Sequence, residues 1–267
     1  MQVRCLVSLA ILVLAASASA RSNNPAAGKL SGSQKAAIGR QIWHNECAGS
    51  ITGLTTWNAG EEFPSLGIGH FIWYPAGFNG RFEESWPLFV AFAKQHGTQP
   101  PPVALERHSP WQSKVQFQKD FNGARLTTLR AWLAANVTLQ TDFIIARSHA
   151  ALPKVLAAAP ARDKARIEAN YRNVATTPQG IYALIDYVNF KGDGTLAAES
   201  YNGQGWGLLQ VLGGMRDGLA GAAAADEFAA SAMRMLARRI ANSPPARGEK
   251  RWQQGWQNRC ATYSRPL

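Results

Sequence analysis

Glu46 closes an apolar-periodic stretch, and a polar, turn-rich segment then leads to Ser65-Leu66-Gly67-Ile68-Gly69-His70. Acid cleavage of a sugar–sugar bond needs a proton donor held rigidly beside an open groove, with polar groups across it to steady the positive charge that develops on the ring. A helix end facing a small hairpin supplies both, so this order of residues suits a glycosidase cleft. Within the segment, Glu61 or Glu62 has the chemistry of a base or nucleophile. Asn58 can hold a water or stabilise the ring cation by its dipole but cannot take a proton, and the Ser65 hydroxyl can orient a water. Each has an ordinary reading beside the chemical one. Glu46 would be a solvated residue at a helix end, Glu61 and Glu62 solvated hairpin charges, and His70 a hydrogen-bonding group within the hairpin.

The elements that must position these groups are readable from spacing. Ser33 is expected to cap a helix from Gln34 to about Glu46, with Ile38, Ile42 and Trp43 on its buried face. Gly49 and Gly53 break that period. From Ile51 to Tyr74 short apolar and polar stretches alternate among Gly and Pro, as in a small irregular sheet. Helical spacing or composition marks Leu126 to Leu133, Phe143 to Ala151, Ala161 to Tyr171, Ile181 to Phe190, Trp206 to Met215 and Asp226 to Ile240. The expected fold class is therefore α+β, a mainly helical bundle with a small sheet beside the first helix. The Pro-rich segment Gln99 to Val103 reads as a surface connection.

Residues 1–20 have the pattern of a secretory signal peptide: one early cation, a short apolar core and Ala18-Ser19-Ala20 as a small-residue cleavage site. The apolar run is too short to span a bilayer comfortably, so no stable membrane anchor is expected. Residues 21–30 form a small, polar, frayed segment, and 31–267 suit one domain. Cys47 and Cys260 then remain in an oxidising compartment, secreted or periplasmic, where a single disulfide is the natural reading and two buried free thiols the alternative. They make a poor metal site, and no cofactor is expected. The formal net charge of +11 points to an acidic partner. The basic residues are scattered instead of clustered in a nucleic-acid motif, and secretion argues against nucleic acid. An anionic wall polysaccharide fits better, bound by a monomer through a field that salt would weaken.

Four blocks carry a family resemblance in the same order along the chain. Glu46, Gly67-Ile68-Gly69-His70, Ala183-Leu184-Ile185-Asp186-Tyr187-Val188-Asn189-Phe190-Lys191-Gly192 and Asn242-Ser243-Pro244-Pro245-Ala246-Arg247 resemble landmarks of phage-type lysozymes. The resemblance implies a lysozyme-like fold that cleaves the glycan strand of peptidoglycan, with Glu46 as general acid. Burial and the helix end would raise the pKa of Glu46, as a donor working near neutral pH needs. The family's arginine beside that glutamate maps to Arg247, which would oppose the rise. A Cys47–Cys260 bond would tie the C-terminal segment against the catalytic helix at that pair. The sequence departs from the pattern between Glu46 and His70, where no aspartate occurs and Ser65 stands in place of a threonine. With Glu61 or Glu62 facing Glu46, paired-carboxylate hydrolysis applies; with neither, a lone glutamate implies the lytic transglycosylase route.

Tyr201-Asn202-Gly203-Gln204-Gly205-Trp206 is rich in glycines, aromatics and amides, as where backbone approaches a sugar. Tyr201, Gln204 and Trp206 are thus candidate substrate contacts, with a packed Trp206 as the alternative. Trp57, Trp73 and Tyr74 are weaker candidates of the same kind. Gly207-Leu208-Leu209-Gln210 is similar to a motif of bacterial transglycosylases. Two other classes fit the same residues: a glycosidase of chitin- or chitosan-like polymers, and a wall-binding protein without turnover.

Overall fold

The computed structural model of the protein describes residues 30–80 and 82–267, so the expected signal peptide and residues 21–29 lie outside the described residues. The first helix, α1, spans Gly32–Cys47 and begins two residues earlier than its spacing suggests. Ser31 and not Ser33 is the cap, because Gln34 stands three residues beyond it. Gln34 N donates to Ser31 Oγ at 3.2 Å, and Ser31 N donates to Gln34 Oε1 at 2.8 Å. Such a reciprocal cap is worth roughly 0.5–2 kcal/mol. Ala48 and Gly49, with φ of 50° and 68°, stop the helix in a left-handed step and leave Glu46 in its last turn.

A three-stranded antiparallel sheet follows, in the order β1 (Thr55–Thr56), β2 (Ser65–Leu66), β3 (Phe71–Ile72), with Ser65 opposite both Thr56 and Ile72. This is the small sheet expected between Ile51 and Tyr74. Next come α2 (Trp86–Gln95) and α3 (Lys114–Lys119), then α4 (Ala124–Ala135), α5 (Val137–Ala158), α6 (Lys164–Val174) and α7 (Pro178–Lys191). A hairpin of β4 (Ser200–Tyr201) and β5 (Gln204–Gly205) precedes α8 (Leu208–Gly213), α9 (Gly221–Asn242) and α10 (Gln253–Ala261). The chain is mostly helical with small antiparallel sheets, an α+β arrangement.

α7 is the axis of the bundle. Its start is fixed by the Thr177 cap and Pro178, and every position from Gly180 to Val188 is buried. A helix that is covered all round belongs in the middle, and α7 packs against α5, α6, α8 and α9. α1 joins the same core through Ile38 and Ile42, both fully buried. Gly39 allows α1 to press on α5, since a Cβ there would stand 2.3 Å from Thr141 Oγ1.

The β2–β3 turn is tied to α5 by the Gln140 side chain. Gln140 Oε1 accepts from Ile68 N at 2.9 Å, while its Nε2 donates to Leu133 O at 2.7 Å. Gly67 is required twice over at this turn: its φ is +73°, and a Cβ would lie 2.3 Å from Gln140 Oε1. Behind the sheet, Trp73 stacks on Trp86 and Phe71 on Phe89. Trp57, Trp73 and Tyr74 are all buried in this layer. They are core, not sugar contacts.

Candidate functional site

Glu46 leaves the last turn of α1 where the β2–β3 turn, α7 and α10 converge, and its side chain is 12% exposed. Oε1 accepts from Arg259 Nη1 at 2.7 Å and Asn189 Nδ2 at 3.3 Å; Oε2 lies 3.4 Å from His70 Nδ1. His70 is held in place by its left-handed backbone, φ 47°, and by its N–H on Gly67 O. Arg259 is fixed in turn. Its Nε and Nη2 both donate to Asp186 at 2.8 Å, and its guanidinium lies 4.0 Å from the centre of the Phe190 ring. Asp186 is fully buried and also accepts from Tyr263 Oη at 2.7 Å. Spacings of three and four residues put Asp186, Asn189 and Phe190 on one face of α7, aimed at α1 and α10.

Those donors decide the charge on Glu46. Burial is the largest single influence and pushes its pKa up, but the Arg259 charge, then His70, the Arg259 hydrogen bond and Lys191, hold it below the usual carboxylate value. The resting group is a carboxylate. This reverses the sequence expectation of a raised pKa, because the opposing arginine is buried with Glu46 instead of reaching it from the surface.

Glu61 lies in the loop between β1 and β2 and is partly buried. Its Oε2 accepts one neutral hydrogen bond, from Asn58 Nδ2 at 3.0 Å, and its backbone oxygen accepts from Trp57 Nε1 at 2.7 Å. Burial raises its pKa; the Asn58 bond and the His70 charge oppose, and the Glu46 charge adds to the rise. Glu61 therefore shares an electrostatic neighbourhood with Glu46 and His70. Glu62 is exposed, and Ser65 is buried in the central strand, where its hydroxyl is shielded from solvent. Of the hairpin candidates, His70 touches Glu46, Glu61 feels the charge of both and is bonded to Asn58, and Glu62 and Ser65 are left aside.

Three other expectations are corrected. Arg247 does not meet Glu46: its Nε is 3.5 Å from Glu249 Oε1, and Arg259 takes the place instead. Arg247 sits at a surface turn, whereas α10 carries Arg259 inward between α1 and α7. Cys47 and Cys260 are not bonded; both are buried free thiols. Glu46 and Arg259 are the side chains that point at each other, and the next residue on each helix is rotated about 100° away. Cys47 Sγ accordingly turns to the hairpin, 3.7 Å from Gly67 O and 3.8 Å from His70 Nε2. Burial first, then the neighbouring Glu46 charge, pushes the Cys47 thiol up to about 12; burial and Asp186 do the same to Cys260.

The third correction concerns the glycine-rich hairpin. Trp206 is 1% exposed, packed between Tyr201 and the Arg239 guanidinium, which lies 4.1 Å from the ring centre. Tyr201 is buried too, with its hydroxyl donating to Glu249 at 2.8 Å. Gln204 is exposed and accepts from Asn242 at 3.3 Å. Neither aromatic presents a face to a ligand.

A groove of 770 Å³ reaches Glu46 between α1 and α10. Gln41, His44 and Asn45 form one wall, Trp256, Asn258 and Thr262 the other, and Tyr182, Phe190 and Arg259 the floor. The sequence reading missed Arg259, Asp186 and Asn189. The last two had a signal, as polar residues three apart in the apolar run Ile181 to Phe190. Among the described residues no group of three or more His, Cys, Asp or Glu side chains is gathered as a metal site. No family model matches this chain, and neither does any of the curated proteins or solved structures compared with it.

Proposed function

We propose that the protein is a peptidoglycan glycosidase with a lysozyme-like fold that cuts the glycan strand with the carboxylates of Glu46 and Glu61. The observation that carries this reading is the pair of environments. One carboxylate is clamped by a guanidinium, an amide and an imidazole, and the other is partly buried with a single neutral donor. Their pKa values are pushed apart in opposite directions, as a division of labour between acid and base requires. The open groove at Glu46 gives a polymer access. A small sheet set against a helical bundle, with the carboxylate at the end of the first helix, supports the lysozyme-like reading. The net charge of +11 favours an anionic wall as substrate. In this reading the protein acts as a secreted or periplasmic monomer and needs no cofactor.

Mass spectrometry of digested peptidoglycan tests the reading. New reducing ends are expected. Anhydro ends would mean transglycosylation by a single acid–base, and intact strands that retain bound protein would mean a wall-binding protein without turnover. Cleavage of chitin in preference to peptidoglycan would move the substrate to the other polysaccharide class.

A further inference from the structure

Glu46 and Glu61 do not have interchangeable surroundings. Every neighbour within hydrogen-bonding reach of the Glu46 carboxylate is a donor or a potential cation: Arg259 at 2.7 Å, Asn189 at 3.3 Å and His70 at 3.4 Å. A proton on Oε1 would face the Arg259 and Asn189 donors and break the arrangement. Arg259 cannot yield, because its other nitrogens are committed to the buried Asp186. Glu61 carries no such clamp. It accepts from Asn58 on Oε2, it is partly withdrawn from water, and the charged groups that act on it are His70 from the β2–β3 turn and Glu46 from α1. A negative Glu46 makes a second negative charge on Glu61 costly.

Resting on the glycosidase reading, we infer that Glu61 is the proton donor and Glu46 the permanently ionised partner, the reverse of the roles that the order of residues along the chain implies. In this scheme Glu61 gives its proton to the glycosidic oxygen, and the electron pair of the breaking C1–O bond leaves with that oxygen as a hydroxyl. The positive charge that develops at C1 faces the Glu46 carboxylate. Water adds at C1 and gives its surplus proton to solvent, solvent reprotonates Glu61, and Glu46 stays ionised throughout. His70 is a positioning residue that touches Glu46 and acts on Glu61 through its charge.

The two roles separate on substrates that differ in their need for a proton. A dinitrophenyl leaving group departs without protonation, whereas the natural sugar hydroxyl does not. Purified Glu61→Gln should lose about a hundredfold or more on peptidoglycan but stay within a few-fold of wild type on a dinitrophenyl glycoside of a chitin-type oligosaccharide. Glu46→Gln should lose activity on both. The kcat/KM profile on peptidoglycan should also fall on an alkaline limb displaced upward from that of an ordinary carboxylate, and that limb should vanish in Glu61→Gln. The opposite split, with Glu46→Gln spared on the activated substrate, overturns the assignment, and so do equal losses for both variants on both substrates. Should wild type cut peptidoglycan but not the aryl glycoside, the alkaline limb decides: its persistence in Glu61→Gln overturns the assignment, its loss supports it. A wild-type protein that cuts neither substrate removes the glycosidase reading itself, and the role of Glu61 falls with it.

Discussion

Arg259 Nη1 stands 2.7 Å from Glu46 Oε1 while its Nε and Nη2 hold Asp186 at 2.8 Å, so one guanidinium joins a carboxylate of the first helix to one of the central helix. Arg259→Met would strand a fully buried Asp186 without its countercharge. Losing one partner of a buried pair costs about 3–5 kcal/mol, so urea unfolding should show a loss on that scale. Arg247→Met, at an exposed turn, should stay within about 0.5 kcal/mol of wild type. Equal effects of the two substitutions would contradict the placement of Arg259.

The two carboxylates should leave opposite marks on stability as pH changes. The folded pKa of Glu46 is depressed, so its contribution to stability is present above the unfolded carboxylate value and is lost as pH falls through the folded one. The folded pKa of Glu61 is raised, so its contribution is present below the unfolded value and is lost as pH rises through the folded one. Melting temperatures taken from mildly acidic to neutral pH should therefore show Glu46→Gln destabilising more at neutral pH. Glu61→Gln should become relatively more favourable there. Parallel curves for both variants would contradict the environments described.

Glu46→Gln should abolish cleavage while leaving the fold and wall binding largely intact. The amide keeps the shape of the side chain, but it removes the negative charge that faces Arg259 and would face the positive charge developing at C1. Circular dichroism, pelleting with purified wall and a turbidity assay read the three properties separately. Activity within a few-fold of wild type would remove Glu46 from the chemistry.

Thiol labelling tests the cysteines. With both thiols buried and their pKa values at about 12, Cys47 and Cys260 should resist an aromatic disulfide reagent in the native protein and react once it is unfolded. Non-reducing peptide maps should recover the two cysteines separately, and a reductant should leave the melting temperature unchanged. A recovered cross-link between them would require the α1 and α10 ends to rotate from the geometry seen.

Parts of this architecture were legible because local rules and burial agree. Ile38 and Ile42 mark one face of α1, glycines mark the turn at Gly67, and the apolar run to Phe190 marks α7. The cap was misplaced by two residues because Ser31 and Ser33 are equivalent until Gln34 is counted as the reciprocal partner. α2 and α3 escaped notice, being short and dominated by contacts with distant aromatics, as Trp86 against Trp73 illustrates. Which arginine meets Glu46 was beyond local reading. Arg247 and Arg259 both lie near the C-terminal end, and only the packing of α10 against α9 carries the Arg259 side chain to Asp186. Trp206 misled for a related reason: a glycine-rich setting exposes backbone, but here the Arg239 guanidinium and Tyr201 cover the ring.

The clamp on Glu46 is assembled from opposite regions of the chain, with its carboxylate near the start and its guanidinium in α10. A nascent polypeptide that has released α1 through α9 from the ribosome already displays Glu46 and Asp186, but it lacks the guanidinium that joins them. Such a truncated product should be inert and poorly packed at its centre. The clamp is thus completed only when α10 docks, and a chain shortened before Arg259 should lack it.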